Sequence, residues 1–554
     1  MKTAAPRRRE LSTFKVFDFR KGWDIKLAPL TQSLTRGQNS LRRADNAVYT
    51  ESGGVSSLRP ALQRQAGVTG VRITGGAQYR KSDNTHHIIV GTEAGTILRA
   101  DPGQTTYTTL LSGLSTYTRF YFAQYGDTLL ICNRVDAPRV YDGTSVTTLG
   151  GSPPGTGGPV AIHGNRAFML DATQPTRLSW SELNNVADWT SGGAGSVFVS
   201  ENDGYKAINL VAGVNELIVI KENRPFRLQG TSPSDFAITN LVPTTGSVGG
   251  VSHAGAVFAG NDVFYLSRNG IVSVSTVLNF GDLKAKFASD RIGPLFALGA
   301  RVGSGASIGI GTGLNARETP FSIASMHLDQ AIAVYDASHN RLLFAIDGNG
   351  DRLPDTILVY DLVLGAWSRW IPPRITALGS AVEHITAMWS VLDAQTDRNE
   401  IWIAHASNIT DDSIVYAVDH WAGGTKIFLV LNAEHLSDLG LPGWDKTLRY
   451  GFFYFREAGS HTATVATRLD GEQVASKTYS VSMLGASKTL GVNWTLGTDV
   501  LGAREQITKR VDLSGTAEYV GVRVNGTLEG IQPLYSWYGY ELAFRRRRQV
   551  RRGV

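Results

Sequence analysis

Short apolar runs separated by polar turn residues recur along most of this chain, and the clearest example covers residues 215–230. There, residues 217–220 are apolar and β-favouring, Glu222, Asn223, Arg224 and Pro225 form a polar segment closed by a proline, and residues 226–228 resume the apolar pattern. A run, a turn and a second run of this length are typical of a β-hairpin. We therefore predict a hairpin whose first strand is buried against its neighbours. Its turn, Glu222 to Pro225, is predicted to project from one rim and to meet a partner.

The same plan recurs in seven copies over more than 300 residues, and six of the seven begin at Asn or Asp. The copies begin at His86, Asp127, Asn165, Asn215, Asn261, Asn340 and Asn399. Successive starts lie 41, 38, 50, 46, 79 and 59 residues apart, which brackets the period of about 40 to 50 residues expected for a four-stranded propeller blade with insertions. We predict an all-β fold built on a β-propeller of about six to eight blades, in which each hairpin is half a blade.

A large antiparallel sandwich, or two stacked β domains, would also show short strands with frequent turns. The regular spacing favours the propeller, because radial repetition buries each hairpin against the next and leaves few exposed strand edges. Repetition also explains how a chain of 554 residues extends its core by adding units.

The N-terminal residues, 1–65, are predicted to form an irregular arm, because Gly, Pro, Asn and Asp recur too often there for long regular elements. Such an arm either wraps a neighbouring subunit or returns across its own domain. The propeller is predicted to follow at residues 66–420.

Two further segments interrupt or follow the repeats. Residues 281–320 are predicted to be a short helical and glycine-rich insertion, with the helix over 281–298. After residue 420 the strands become longer and alternate apolar with polar positions, which predicts a C-terminal β-sandwich-like domain at 421–544. A basic tail is predicted at 545–554.

Composition adds a strong charge asymmetry to this picture. The net charge is +6, yet Lys2, three arginines at 7–9 and six arginines near the C-terminus together carry more positive charge than that, so the rest of the chain is net negative. The C-terminal arginines are Arg545, Arg546, Arg547, Arg548, Arg551 and Arg552. Such a run attracts phosphates or an acidic protein surface, or it is a solvated tail.

The remaining composition excludes several classes of protein. The one cysteine, Cys132, stands in an apolar run and is predicted to be a buried small hydrophobe, so no disulfide framework is expected. The basic N-terminus is not followed by an apolar signal region, and no run of 18 apolar residues occurs. We expect neither secretion by a signal peptide nor a membrane span.

The candidate chemical motifs are weak. Residues 305–309 match the pattern G-x-S-x-G around Ser307, but glycines follow where a nucleophile elbow requires a helix. The DGNGD stretch at 347–351 spaces oxygen ligands as calcium loops do, yet Arg352 and Leu358 replace the glycine and glutamate that an EF-hand requires. A polar turn is preferred there, and a looser calcium loop stays open. We predict no catalytic, cofactor or metal site and no enzymatic activity.

A carbohydrate-acting or carbohydrate-binding propeller remains the alternative. Paired carboxylates could meet across blades, and eleven tryptophans are available for stacking on sugars. A propeller interaction module of cellular origin is the third possibility.

The order of several segments resembles the β-propeller tail nozzle proteins of short-tailed bacteriophages, also called tail hub or tail tubular protein B. The resemblance covers residues 50 to about 420 and continues more loosely to the end. It rests on residues 53–60, 178–189, 215–230, 244–252, 261–275, 288–296 and 340–370.

This resemblance implies a virion structural protein that is assembled in the host cytoplasm and located in the viral tail. It implies a homohexameric ring below the tail adaptor that lines the double-stranded DNA exit channel and carries tail fibres or spikes. It implies no catalytic residues. The basic C-terminus departs from the pattern, because a DNA conduit that grips phosphates would slow its cargo. We therefore predict that Arg545 to Arg552 contact a neighbouring protein and not the DNA.

Overall fold

The computed structural model describes residues 11–25, 40–57, 61–68, 70–101, 106–241, 248–275, 287–296, 327–348, 351–371, 383–393, 397–407, 413–418, 426–427, 431–456, 462–470, 477–482, 506–526 and 536–549. Among these residues, none of the helices combines the length and the hydropathy of a membrane span.

Seven antiparallel sheets follow one another along the chain between residues 73 and 418. The first is Ile73–Arg80, His86–Thr92, Ile97–Ala100 and Thr108–Leu111, and the second is Tyr121–Tyr125, Thr128–Cys132, Arg139–Tyr141 and Val146–Thr148. The third is Gly157–His163, Arg166–Asp171, Arg177–Trp180 and Gly195–Phe198, and the fourth is Ala207–Ala212, Leu217–Lys221, Pro225–Gln229 and Ala237–Asn240. The fifth is Ala256–Ala259, Asp262–Ser267 and Gly270–Ser273, and the sixth is Ile332–Asp336, Arg341–Ile346, Thr356–Asp361 and Ala366–Trp370. The seventh is Glu383–Asp393, Arg398–Ser407 and Ser413–Val418, extended by Ala61–Val68 and Lys426–Ile427.

The first strands of consecutive sheets lie side by side, and the first strand of the seventh sheet packs against that of the first sheet, so the described sheets close into a ring. This is a β-propeller, as the hydrophobic pattern predicts, and we call the sheets blades 1 to 7. The apolar clusters lie between neighbouring blades rather than within them. Each blade therefore depends on its neighbours for its core.

The seven predicted hairpins are confirmed as the second and third strands of the seven blades. The recurrent Asn has a local cause. Asn165 and Asn261 each follow a glycine, and both residues of each Gly-Asn pair have positive φ, between 53° and 66°. That backbone is the type I′ turn, which Gly and Asn adopt most easily and which matches the twist of two strands. The asparagine thus joins the first strand of a blade to the second.

The turn between the second and third strands has a different role, because it binds the next blade. In five blades a backbone hydrogen bond of 2.6 to 3.1 Å joins this turn to the start of the next blade. The pairs are Tyr117 with Glu93, Arg134 with Gly157, Ala207 with Pro175, Gly250 with Lys221, and Ile385 with Pro354. Ser413 of blade 7 accepts from the amide of Ile73 in blade 1 at 2.9 Å. The hairpin repeat therefore supplies the link between blades as well as their strands.

An N-terminal strand contributes to the last blade. Ala61–Val68 pairs antiparallel with Ser413–Val418, so strands from distant parts of the chain share blade 7. Closure of this kind holds the first and last parts of a propeller together without leaving an open blade edge.

A second β lobe contains strands from both ends of the chain. One sheet of this lobe comprises Ser12–Val16, Ala47–Tyr49, Val55–Ser57, Trp444–Arg456, Gln506–Asp512, Thr516–Ala517 and Ser536–Gln549. The other comprises Arg43–Asp45, Asn432–Ser437, Val520–Gly526, Thr462–Leu469 and Lys477–Ser482. A short parallel pair, Gly22–Trp23 with Ser40–Leu41, lies beside them. Ser12–Val16 of the predicted N-terminal arm is a regular strand that pairs with the final strand of the same chain.

The lobe is continuous with the propeller. Blade 6 pairs through Arg369 with Asp45, and the strand Arg43–Asp45 continues the sheet into Asn432–Ser437, which makes one nine-stranded sheet. The largest apolar cluster joins residues of blades 5 and 6 to residues of the lobe. Propeller and lobe therefore share both a sheet and a core.

The predicted insertion is described in part. Asp290–Phe296 is a 3-10 helix with Ile292, Leu295 and Phe296 buried, within the range predicted as a helix, and two other short 3-10 helices are Glu201–Asp203 and Leu328–Gln330. The rest of the glycine-rich stretch, including Ser307, lies outside the described residues. Cys132 is buried between blades 2 and 3, as predicted, and burial raises the pKa of its thiol to about 12.

The joint between the lobe and the propeller contains a buried ion pair. Arg369 donates to Asp45 at 2.7 and 2.8 Å, and both side chains are at most 6% exposed. Arg43 also pairs with Asp45. Burial alone would raise the pKa of Asp45, but the two arginines outweigh it and hold that pKa below its usual value.

We expect Asp45→Ala to lower the free energy of unfolding by about 3 to 5 kcal/mol, because it leaves the buried Arg369 charge without its partner. Urea denaturation followed by circular dichroism measures this loss. Asp18→Ala is the matched control, since the Asp18–Arg20 pair is solvent-exposed and should contribute less than about 1 kcal/mol. If both variants lost the same free energy of unfolding, the buried ion pair would not stabilise the joint between the lobe and the propeller.

Candidate interaction surfaces

The C-terminal arginines lie partly in a strand. Ser536–Gln549 includes Arg545, Arg546, Arg547 and Arg548 and pairs with Trp444–Arg456, so regular structure continues five residues beyond the predicted end of the domain. Arg551 and Arg552 lie outside the described residues. Strand pairing therefore holds the backbone at the start of the basic segment.

Among the arginines of this strand end whose side chains the structure describes, Arg545 is half-buried and Arg546 and Arg547 are exposed. The Arg546 guanidinium lies 5.6 Å from the centre of the Trp444 ring, which is cation–π geometry. Arg547 donates from Nε to the Thr447 hydroxyl at 2.9 Å. Because Trp444 and Thr447 lie on opposite faces of their strand, the two arginines place positive charge on both faces of this sheet edge, and we call the pair the arginine strip.

Other parts of the same propeller contact the turn formed by Glu222, Asn223, Arg224 and Pro225. Strand residues 217–220 are fully buried and alternate between the cores shared with blades 3 and 5, as predicted. Glu222 is exposed, whereas Pro225 is buried and pairs with Ile220. A Cβ at Gly249 would lie 2.1 Å from the backbone of Glu222. The turn thus contacts blade 5 closely, and its projecting part is Glu222 with the half-buried Asn223 and Arg224.

A buried lysine fixes the base of this turn. Lys221 is 0% exposed and its Nζ donates to the backbone oxygens of Val199 and Ser200 at 2.9 Å and to Asp203 at 2.6 Å. Burial lowers the pKa of Lys221, and the bond to Asp203 opposes that shift. The lysine therefore ties the hairpin to the segment that connects blades 3 and 4.

The described residues of the DGNGD stretch lie between the second and third strands of blade 6, in a segment that also contacts blade 7. Asp347 accepts from the amide of Arg352 at 3.0 Å, and Asp355 accepts from the amide of Gly348 at 2.9 Å. Asn349 and Gly350 lie outside the described residues, and no group of three metal-ligating side chains occurs among the residues that are described. Burial, with Asp347 and Asp351 nearby, raises the pKa of Asp355 to about 7.

Side chains from opposite blades meet at the face where the first strands begin. Arg119 precedes the first strand of blade 2 and donates to the backbone oxygen of Gln330, which precedes blade 6, at 3.4 Å. Arg134, in the second turn of blade 2, hydrogen-bonds Nε2 of His253, which precedes blade 5. Because blade 2 faces blades 5 and 6 in a ring of seven, these contacts cross the propeller axis.

The residues that cross the axis carry no signal in the sequence. Arg119, Arg134 and His253 stand in three segments with no shared spacing or motif, and only closure of the ring brings them together. By contrast, the glycine pair at 249–250 could have indicated the close approach of the Glu222 turn, because such an approach needs residues without a Cβ.

The comparisons with known proteins show no family for this chain. No family model matches the chain, and no curated protein matches it. Among solved structures, the WD40 β-propeller domain of Doa1 is 9% identical, with a TM-score of 0.39 over 64% of this chain and 96% of that chain. YCF48 bound to D1 peptide is 13% identical, with a TM-score of 0.38 over 65% and 96%. YCF48 from Cyanidioschyzon merolae is 12% identical, with a TM-score of 0.38 over 64% and 98%.

We expect Lys221→Met to lower the free energy of unfolding by about 3 to 5 kcal/mol, because Asp203 and two backbone oxygens lose their buried cationic donor. Lys206→Met is the matched control on an exposed lysine nearby and should change stability by less than about 0.5 kcal/mol. Chemical denaturation of both variants distinguishes them. If Lys221→Met were as stable as the control, the lysine would not hold the turn.

Asp355→Asn should stabilise the protein more at pH 8 than at pH 5. The folded pKa of Asp355 is raised to about 7, so the unfolded chain ionises first and stability falls as pH rises from about 4 to about 7. Asparagine removes this penalty, a gain on the order of 2 kcal/mol between the two pH values. Thermal unfolding at both pH values measures it.

Asp83→Asn is the control for this pH effect. Hydrogen bonds from Thr85 lower the pKa of Asp83 to about 2, so the carboxylate is charged at both pH values. Its substitution should shift the melting temperature equally at pH 5 and pH 8. A gain for Asp355→Asn that does not depend on pH would show that Asp355 is ionised throughout.

Proposed function

We propose that this chain is a virion structural protein, equivalent to the tail nozzle of a short-tailed bacteriophage. In this proposal several copies, six by resemblance, form a ring around the exit channel for double-stranded DNA. The ring joins the tail adaptor to fibres or spikes and takes part in retaining and releasing the genome. The chain acts as a building block and not as an enzyme.

The observation that carries the proposal is the union of the propeller and the lobe into one body. Strands from both ends of the chain build the lobe, and its nine-stranded sheet is continuous with blade 6. A buried ion pair and a shared apolar cluster strengthen the same joint. A two-lobed subunit with such a joint keeps its two surfaces at a constant distance and angle, which a repeating assembly requires.

The obstruction at the propeller axis supports a channel between copies. Arg119 with Gln330, and Arg134 with His253, span the axis at one face. A DNA duplex, whose major groove alone is about 12 Å wide, has no room where side chains from opposite blades touch. DNA that passes through such an assembly would run between subunits, so a conduit needs a ring.

The arginine strip fits contact with a neighbouring protein better than contact with the moving DNA. Each cation that binds a phosphate adds salt-dependent affinity, which slows passage. At a protein interface the same cations steer association with an acidic surface and fix its register. We therefore assign Arg546 and Arg547 to a contact with the next subunit or the adaptor.

We expect negative-stain microscopy of the purified protein, or of virions that contain it, to show a sixfold ring with a central channel. The double variant Arg546→Glu and Arg547→Glu should require at least roughly tenfold more protein to form rings, because it places like charges against the acidic partner surface. Mass photometry over a concentration series measures this shift.

Arg510→Glu is the control for charge reversal, since Arg510 is an exposed arginine that packs on an aromatic ring of the same sheet. It should leave ring formation unchanged. A protein that stays monomeric at all concentrations and is absent from virions would contradict the proposed function. Rings that form equally well in the double variant would contradict only the role of the arginine strip.

A further inference from the structure

The residues that cross the propeller axis are linked by hydrogen bonds and surround two guanidinium groups. Arg119 contacts the backbone of Gln330, and the next residue, Ala331, accepts a hydrogen bond from Ser252. Ser252 precedes His253, which hydrogen-bonds Arg134. Both arginines also act on the pKa of Tyr121. The two guanidinium groups are therefore held around one small region.

The charges in this region do not balance. Among the described residues, neither Arg119 nor Arg134 has a carboxylate within salt-bridge distance. Asp329 is the acidic group that acts on Arg119 and on His253, but it is exposed and hydrogen-bonds Gln330. Burial lowers the pKa of Arg119, so the surroundings disfavour its charge. Asp329 therefore does not pair directly with either cation.

His253 does not add a third cation. Its Nδ1 donates to the backbone oxygen of Ile208 at 2.6 Å, so its Nε2 is the atom that accepts from Arg134. Burial lowers the pKa of His253 to about 4, and Arg134 adds to this shift. At neutral pH the imidazole of His253 is therefore uncharged, and it orients the Arg134 guanidinium by accepting its hydrogen bond.

Most N–H donors of the two guanidinium groups have no acceptor among the residues that the structure describes. An arginine has five N–H donors, and Arg119 uses one of them in a long bond of 3.4 Å. Arg134 uses one on His253 and interacts with Tyr121, while its buried Nε has no partner within the described part of the chain. Both side chains are half-buried, so part of each is exposed to solvent.

We propose that this axial site binds a small oxyanion, the phosphate or carboxylate group of a ligand, between Arg119 and Arg134. The planar guanidinium fork matches both groups and binds them through paired charge-assisted hydrogen bonds. The bound anion supplies the missing negative charge and links blades 2, 5 and 6 across the axis. The site is separate from the ring assembly proposed above, because it lies within a single propeller.

The test is thermal unfolding of the purified full chain at pH 7.5 in sodium chloride, sodium phosphate or sodium succinate at one ionic strength. We expect phosphate, succinate or both to raise the melting temperature by a few degrees above that in chloride. A rise in melting temperature with phosphate alone would identify a phosphate site, and a rise with succinate would identify a carboxylate site. Arg119→Gln and Arg134→Gln should each abolish the difference between oxyanion and chloride.

Arg139→Gln is the matched control, since Arg139 lies in the same blade but hydrogen-bonds Thr148 on its outer strand, and it should keep the full response. Isothermal titration of the unmodified protein with phosphate and with succinate needs no variant and should give saturable heat. Absence of that heat together with no stabilisation beyond chloride would overturn the proposal, as would an equal response in the Arg119 and Arg134 variants.

Discussion

The fold depends on the backbone contact between the second turn of one blade and the start of the next. This contact recurs at 2.6 to 3.1 Å in five blades and fixes the position of the neighbouring first strand with no side chain involved. It also explains why glycines stand where a turn comes closest, as Gly249 does beneath Glu222. The apolar clusters between blades add the stabilising burial, and the hydrogen bonds link neighbouring blades through the backbone.

Strands from the two ends of the chain complete blade 7 and the lobe, which the repeated hairpins alone do not supply. One N-terminal strand enters blade 7, and others enter the lobe beside the final strand. The buried pair of Asp45 and Arg369 lies where the propeller sheet passes into the lobe. Because a buried charge without its partner is costly, this pair requires the arm to be in place before the joint is stable. The propeller and the lobe thus depend on the same buried contact.

Closure of the propeller also brings positively charged side chains together at its axis. Arg119 and Arg134 meet residues of blades 5 and 6 because the first strands of all the blades converge on the axis. The same convergence obstructs the axis, so the DNA channel of the proposed assembly would lie between copies. The arginine strip, by contrast, lies at the edge of the lobe, where its cations can meet another chain. Different parts of one subunit thus suit a small anion and a protein partner.

The sequence by itself determined the repeating unit and its local geometry. Alternating apolar positions and Gly-Asn turns act over a few residues, so the seven hairpins, the burial of residues 217–220 and the propeller class could be predicted from the pattern. The tertiary structure alone decided where the N-terminal strands pair, that the Arg545 segment begins as a strand, and that Lys221 is buried beside a turn that the sequence predicts to project. It also decided the meeting of Arg119, Arg134 and His253. These outcomes depend on the neighbouring blade or on contacts between residues far apart in the chain, 98 positions in the case of Thr447 and Arg545, and no local pattern specifies which distant strand pairs there.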